Sequence, residues 1–518
     1  MEPSMAAQLE DLAARKAAAR TAGGEAAIAY HHDRHRLTAR ERIEYLLDEG
    51  SFQELDLLSR HHAIGMGIEA NRPYTDGVVT GFGKVDGRSV CVYAQDFTIY
   101  GGALGETHGE KIQKIQDLAL NMGLPIISLN DGGGARIQEG VGGLNAYGGM
   151  FRRHAAASGV VPQISVILGP SAGGAVYAPA MTDFVVMVKD VSHMFISGPE
   201  VVKAVTGESI TLEELAGATT HATKSGAAAF VFPDEHTALD EVRYLLSYLP
   251  SNNREEAPRI LSHDPGDRSV EELRDLLPNS ADLPYDMKKI ITAVVDEGDF
   301  MEVHAGYATN IICGFARIDG FTVGVVANQP NVMAGVLDIH ASEKAARFVR
   351  MCDAFNIPLV TFVDVPGFLP SVEQEHQGMN RHGATLLYAF CEATVPRVSI
   401  ITRKAYGVAS VVMNSKSIGA DFAFAWPGAE LAVMGAAGAV DIVHRHTIAE
   451  ADDPRATRAA LIEEYEASYA NPYIAAERGF IDDVIDPADT RRLLTTTLNL
   501  LRSKREELPK RKHGNIPL

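Results

Sequence analysis

Cysteine is scarce in this chain. Four residues in 518, Cys91, Cys313, Cys352 and Cys391, are widely spaced and form no CxxC pair. That pattern excludes a zinc ribbon and a disulfide framework, and a reducing cytoplasm is the expected compartment. Positive charge is also short, since 47 Lys and Arg against 67 Asp and Glu leave a formal net charge of -20. Nucleic acid is therefore not expected as a partner, because such binding needs a basic stripe to displace counterions. No run reaches the roughly 18 consecutive apolar residues of a membrane span, so no membrane partner is expected. The start, MEPSMAAQLEDLAARKAAAR, carries Glu2, Glu10 and Asp11 and reads as a charged amphipathic helix, not a signal peptide. There is no GxxxxGK[ST] phosphate loop. Ser171 in GPSAGGAVYAP does not satisfy GxSxG, so it reads as structural. What is present, 46% hydrophobic and 22% charged residues, is the balance of a soluble globular protein. Its length suits about two to four domains.

The chain repeats itself at an offset of about 233 residues, Gly81 against Gly314. GFGKVDGRSVCVYAQDF aligns with GFARIDGFTVGVVANQP. The phase holds through Glu110-Lys111 with Glu343-Lys344, Pro125 with Pro358, Asp131 with Asp364 and Gly134 with Gly367. After one inserted residue it continues through Val161-Pro162 with Val395-Pro396, Ser165 with Ser399 and Gly173 with Gly407. A match in step across three blocks is a duplication. Each copy predicts a hairpin with an Asp-Gly turn (Asp86-Gly87, Asp319-Gly320), then a helix, a buried strand, a glycine-rich loop, a helix and another strand. Strand-helix alternation with apolar strands predicts an α/β fold with parallel pairing. The polar, proline-containing stretch 251–272 reads as the linker, giving domains 1–255 and 256–518.

Four glycine-rich turns carry the candidate chemistry, two per copy. They are DGGGARIQEG, with Gly133 and Gly134, GPSAGGAVYAP, with Gly173 and Gly174, DVPGFLPSVEQEHQG, and RKAYGVASVVMNSK, with Val408 and Ala409. Such strand-to-helix turns leave backbone N–H groups exposed at a positive dipole end, which suits an oxyanion. Two equivalent sites fit a reaction that hands one group between two carbonyl compounds, although symmetric packing also produces them. Asp131, Glu139 and Asp364 are loop acids and candidate general bases, while acids at such positions are commonly caps.

At these residues the chain resembles the carboxyltransferase (beta) subunits of biotin-dependent acyl-CoA carboxylases, propionyl-CoA carboxylase type. The likeness rests on DGGGARIQEGV, GPSAGGAVYAPAMTDFVVMV, HMFISGPEVVKAVTGE, LLSYLPSNN, DVPGFLP, RKAYG and AVMGAAGAV, and runs from about Arg36 to KHGNIPL. It implies two tandem crotonase-like domains related by internal duplication, and a homo-oligomer, a hexamer, with active sites between the first half of one subunit and the second half of another. It implies that biotin on a carrier supplies the carboxyl group and that an acyl-CoA receives it at the alpha carbon, with no bound metal. Gly173-Gly174 matches the donor pair for the biotin oxyanion, and Val408-Ala409 the pair for the acyl-CoA enolate. With no Met-Lys-Met tripeptide and no ATP-binding module, a partner biotin carboxylase/biotin carrier (alpha) subunit is implied.

The chain departs from the family pattern, commonly RKAYGGAY, at Val408 and Ser410, with Val411 at the variable site. A β-branched residue does not readily take positive φ. Either the backbone at 408 never needed glycine, or the enolate site is reshaped. Val411 makes the acyl end of the pocket apolar, which favours a chain longer or bulkier than propionyl; the neutral alternative is that it only packs. His444-Arg445-His446 stands where two arginines are frequent, leaving Arg445 as the candidate contact to CoA phosphates. The rival readings are a decarboxylase of a malonyl-type CoA and a non-catalytic assembly homologue.

Overall fold

A computed structural model describes residues 4–21, 23–281 and 283–517, so Glu2 and Leu518 lie outside the described residues. The chain divides into two compact units, Met1–Glu256 and Ala257–Leu518. The first is built on one sheet of eight strands: β1 (Gln53–Leu55), β2 (Val78–Val85), β3 (Arg88–Gln95), β4 (Ile126–Gly132), β5 (Gln163–Ala172), β6 (Phe184–Val188), β7 (His193–Phe195) and β8 (Phe230–Phe232). Their order is β1-β2-β3-β4-β5-β6-β8, with β7 paired to the end of β5. The second unit has β9 (Phe300–Val303), β10 (Ile311–Ile318), β11 (Phe321–Asn328), β12 (Leu359–Val365), β13 (Arg397–Tyr406), β14 (Phe422–Ala425), β15 (Glu430–Ala432) and β16 (Asp483–Val484). They run β16-β14-β13-β12-β11-β10-β9, with β15 on β13. Strand for strand the two sheets correspond, as the repeat requires.

Both hairpins form in the expected register, Val85 opposite Arg88 and Ile318 opposite Phe321. Asp86-Gly87 and Asp319-Gly320 are left-handed at both residues, as a two-residue turn compatible with strand twist demands. Beyond the hairpins the pairing turns parallel, β3 to β4 to β5 to β6 and β11 to β12 to β13 to β14. Every residue of β4 and β12 is buried, the pattern of strands covered on both faces. The covering helices Glu106–Met122 and Ile339–Ala354 bury one stripe each, Ile112, Ile115 and Ala119 in the first and Ala345, Phe348 and Cys352 in the second. The N-terminal helix is present as Met5–Arg20. Among the described residues no helix is long and apolar enough to cross a membrane.

The expected linker contains no regular element between Leu246 and Leu273, but it is tied down, with the Asn253 N–H donating to the Val160 carbonyl at 3.0 Å in its first part. The Ile260 N–H donates to the Gly320 carbonyl at 2.9 Å, and Arg491 Nε donates to the Pro265 carbonyl at 3.0 Å.

Three histidines buried in the first unit make its stability depend on pH. Burial pushes His31, His108 and His154 below the ordinary imidazole value. Neutral His108 donates from Nδ1 to the Asp76 carbonyl at 3.1 Å. The unfolded chain takes up these protons near pH 6.5 while the folded unit does not. Stability is therefore full above about pH 6.5 and falls below it, by up to about 1.4 kcal/mol per pH unit for each histidine. Urea midpoints measured from pH 7.5 to 6.0 are expected to drop, with a shallower slope in His154→Gln. A flat profile would contradict the assignment.

Candidate active site

In each unit the chain leaves a central parallel strand through a left-handed glycine and enters a helical turn. Gly173 follows β5 and Gly407 follows β13, both at φ +60°. A chain that must reverse this abruptly needs a residue without a Cβ. The helical turns Gly173–Val176 and Gly407–Val412 then begin. Their first N–H groups have no intrahelical acceptor and stand at the positive end of the local dipole. Gly174 and Val408 occupy the second position, outside the left-handed region. The conflict anticipated at Val408 does not arise: the glycine demanded by the turn is Gly407, and it is present. Val408 is 62% exposed, so its side chain points away from the core. Ala409 follows it, buried.

The loop after β4 packs close to the first of these turns. In the first unit Gly133 donates its N–H to the Gly101 carbonyl at 3.0 Å, and the Gly134 carbonyl accepts from Leu104 at 2.8 Å. A Cβ on Gly134 would stand 3.0 Å from the Ala172 carbonyl, one residue before Gly173. Gly133 therefore has its N–H engaged within the fold, and Gly134 serves close approach. In the second unit the Gly367 carbonyl accepts from Leu337 at 3.0 Å.

Asp131 and Asp364, expected on loops, lie near the ends of β4 and β12, and neither they nor Glu139 are free bases. Asp131 is fully buried, and one of its oxygens takes Arg36 at 2.6 Å and Arg42 at 2.8 Å. Arg42 also holds Glu235 through two bonds of 2.7 and 2.8 Å. Asp364 accepts from Arg403 Nε at 2.9 Å and from the Lys404 N–H at 3.1 Å. Burial pushes its carboxyl above the usual range although Arg403 opposes this. The two carboxylates thus receive guanidinium groups by different routes. Arg403 sits at the repeat position of Gly169, where a Cβ would collide with Asp131 and with the Arg36 guanidinium. Glu139 accepts from Arg136 at 2.7 Å and from the Glu106 N–H at 2.7 Å, capping a helix. Ser171 is buried, in line with a structural role.

Val411 and Ser410 open onto a cavity of about 790 Å³ in the second unit. Ser410 Oγ donates to the Gly407 carbonyl at 2.8 Å, fastening the turn. Val411 faces Ile401, Ala405, Leu431, Ala432 and Val433 across this space. Its further walls, Tyr465 and Tyr469 on the helix Pro454–Tyr469 and Phe480 in the bend after the helix Pro472–Glu477, were not among the sequence candidates; nothing in their local pattern marks them. A second residue missed in the sequence is Glu430 on β15, which accepts a hydrogen bond from the Tyr406 phenol just before Gly407. Arg445 is exposed at the start of the short helix Arg445–Ala449, outside the cavity lining. Among the described residues no cluster of His, Cys, Asp and Glu has the makings of a metal site.

Residues 30–516 match the carboxyl transferase domain family. The chain is 55% identical over 515 residues to the propionyl-CoA carboxylase, carboxyltransferase subunit, of Haloferax mediterranei, covering 99% of this chain and 100% of that one. It is 52% identical over 513 residues to the methylmalonyl-CoA decarboxylase subunit alpha of Propionigenium modestum, covering 99% of each. Among solved structures, the transcarboxylase 12S core crystallised with methylmalonyl-coenzyme A and methylmalonic acid superimposes with a TM-score of 0.98 at 48% identity, covering 100% of this chain and 99% of that one.

Proposed function

The chain belongs to the carboxyl transferase family of biotin-dependent acyl-CoA carboxylases as a beta-type subunit of two tandem crotonase-like domains, and on that premise we propose that it carboxylates an acyl-CoA longer or bulkier than propionyl-CoA. Biotin on a carrier subunit supplies an activated carboxyl group. The residues suited to receive its ureido oxygen are Gly173 and Gly174, where a Cβ on Gly173 would meet nothing within 4 Å. The N–H groups of Val408 and Ala409 would donate to the thioester oxygen as the alpha proton passes to the ureido nitrogen that has given up its carboxyl group. Negative charge settles on that oxygen until the alpha carbon takes up the carboxyl carbon. One such donor typically contributes about 3–4 kcal/mol in the transition state. Gly133 and Gly134 support the first turn, Ser410 the second, and Arg445 reaches solvent where a CoA phosphate can approach. The hexamer of the transcarboxylase 12S neighbour is the assembly we propose, in the cytoplasm with a biotin carboxylase/carrier partner.

The observation behind the acyl preference is the cavity beside Val411. At about 790 Å³ it falls in the range that holds drug-sized ligands, well beyond a three-carbon acyl group. Each further methylene buried there adds about 0.8 kcal/mol, close to fourfold in kcat/KM. Purified chain with an active alpha subunit, ATP, bicarbonate and acyl-CoAs of rising length is expected to show that climb, and Val411→Asp to reverse it. Preference for propionyl-CoA over every longer chain would defeat the reading. The likeness to a methylmalonyl-CoA decarboxylase subunit favours a second reading, the reverse transfer, which the same turns serve. Carboxyl loss from a malonyl-type CoA to biotin, faster than the forward reaction, would establish it.

A further inference from the structure

The cavity beside Val411 has two chemically different ends. It follows β13 from Ala405, next to the oxyanion turn, back to Ser399. The six residue steps between them span about 20 Å. The near part is apolar, walled by Val411, Leu431 and Val433, with Ile401 and Val363 below. The far part is not: it is lined by Ser399, Ser415, Lys416 and Ser417, and the exposed Arg478 also borders the cavity.

Ser399 is the informative residue. It is only 2% exposed, and among the described residues its hydroxyl has no hydrogen-bond partner. The repeat shows how this came about. Its counterpart in the first unit, Ser165, accepts from Ser128 at 2.9 Å and from Thr182 at 3.1 Å, a closed knot of hydroxyls. In the second unit Asp421-Phe422 aligns with Asp183-Phe184, which places Ala420 where Thr182 stands. The equivalence is structural too, since Asp183 accepts from the Gln163 N–H and Asp421 from the Arg397 N–H, each at 2.8 Å. The Ser128 counterpart, Thr361, takes its bond from Asn414 Nδ2 at 3.1 Å instead. Neither position now bonds Ser399, since Ala420 has no hydroxyl and Thr361 is engaged by Asn414, and Ser399 instead lines the cavity. The Ser399 hydroxyl is thus left open to the cavity, free to donate to whatever occupies it.

The surrounding charge is positive. Lys416 is paired with Asp482, while Arg478 has no acidic partner among the described residues, leaving one uncompensated cation at the cavity's border. We infer that the far end of the cavity recognises an acyl chain carrying an acceptor oxygen, a carboxylate, at the end remote from the thioester. This rests on the acyl-CoA reading of the site and narrows its substrate class to terminally oxidised acyl-CoAs. The apolar stretch takes the methylenes, the Ser399 hydroxyl donates to the terminal oxygen, and Arg478 balances its charge.

Equilibrium binding by titration calorimetry tests this apart from turnover. The full chain is titrated with two CoA esters of equal length, one ending in methyl and one in carboxylate. The wild type is expected to bind the carboxylate form roughly tenfold more tightly. Ser399→Ala is expected to lose most of that preference while the methyl ester binds as before. Ala420→Thr restores the hydroxyl partner of the first unit, and it is expected to remove the preference in the same way. Equal affinity of the wild type for the two esters overturns the inference. So does an equal loss for both esters in Ser399→Ala together with full preference in Ala420→Thr. Failure of the acyl-CoA reading itself shows differently, as absence of turnover with every ester in the presence of an active alpha subunit.

Discussion

Gly407→Ala is expected to lower carboxyl transfer by about 100-fold or more, while Val408→Gly changes it by no more than about threefold. The asymmetry runs against the sequence pattern, in which position 408 is the one that departs from the family. Gly407 has φ +60°, and a Cβ on it would stand 3.2 Å from the Val433 carbonyl. An L-residue there costs about 1–2 kcal/mol, which the fold tolerates by rotating the turn. That rotation re-aims the N–H groups of Val408 and Ala409 away from the thioester oxygen. Loss of one oxyanion donor typically costs 100- to 1000-fold in kcat. Val408 is helical and exposed, so glycine there removes only a side chain that faces outward. The measurement is kcat with the carrier subunit at saturating acyl-CoA, beside a thermal melt to confirm folding. A Gly407→Ala enzyme that is folded and fully active would remove this turn from the mechanism.

The second large effect is on stability. Arg42→Met is expected to destabilise the first unit by about 3–5 kcal/mol, because it strands two buried carboxylates, Asp131 and Glu235, that share one guanidinium. For a unit of this size that corresponds to a fall of roughly 10 °C in the midpoint of its melting transition. Arg36 still reaches Asp131, so the cost falls chiefly on Glu235, and the double change Arg42→Met with Glu235→Leu is expected to recover much of it. Replacing a buried pair by apolar groups is often close to neutral. A single variant that melts with the wild type would show that the network contributes nothing. A shifted pH-rate profile without destabilisation in Asp131→Asn would restore Asp131 as a base.

Much of the fold was legible because its signals are local or periodic. The Asp-Gly turns announced both hairpins. The apolar stripe of Glu106–Met122 and the unbroken apolar runs of β4 and β12 announced a covered parallel sheet, and the step of about 233 residues announced it twice. The glycine-rich segments marked where the backbone turns sharply.

Two features were not legible. At Val408 the sequence offered a missing glycine but not which of two adjacent positions takes the left-handed conformation; the path of β13 into its helix settled that in favour of Gly407. The loop acids looked available until Arg36 and Arg42, about ninety residues upstream of Asp131, were seen to enclose one, and Arg403, on the neighbouring strand, the other.

The sequence by itself determined the duplication, the order of elements and the places where backbone donors gather, since each depends on residues close together in the chain or repeated in step. Only the tertiary structure decided what surrounds those donors. Which guanidinium neutralises which acid, and which hydroxyl loses its partner at Ser399, depends on side chains brought together from distant segments. Packing makes those choices, and no local period records them.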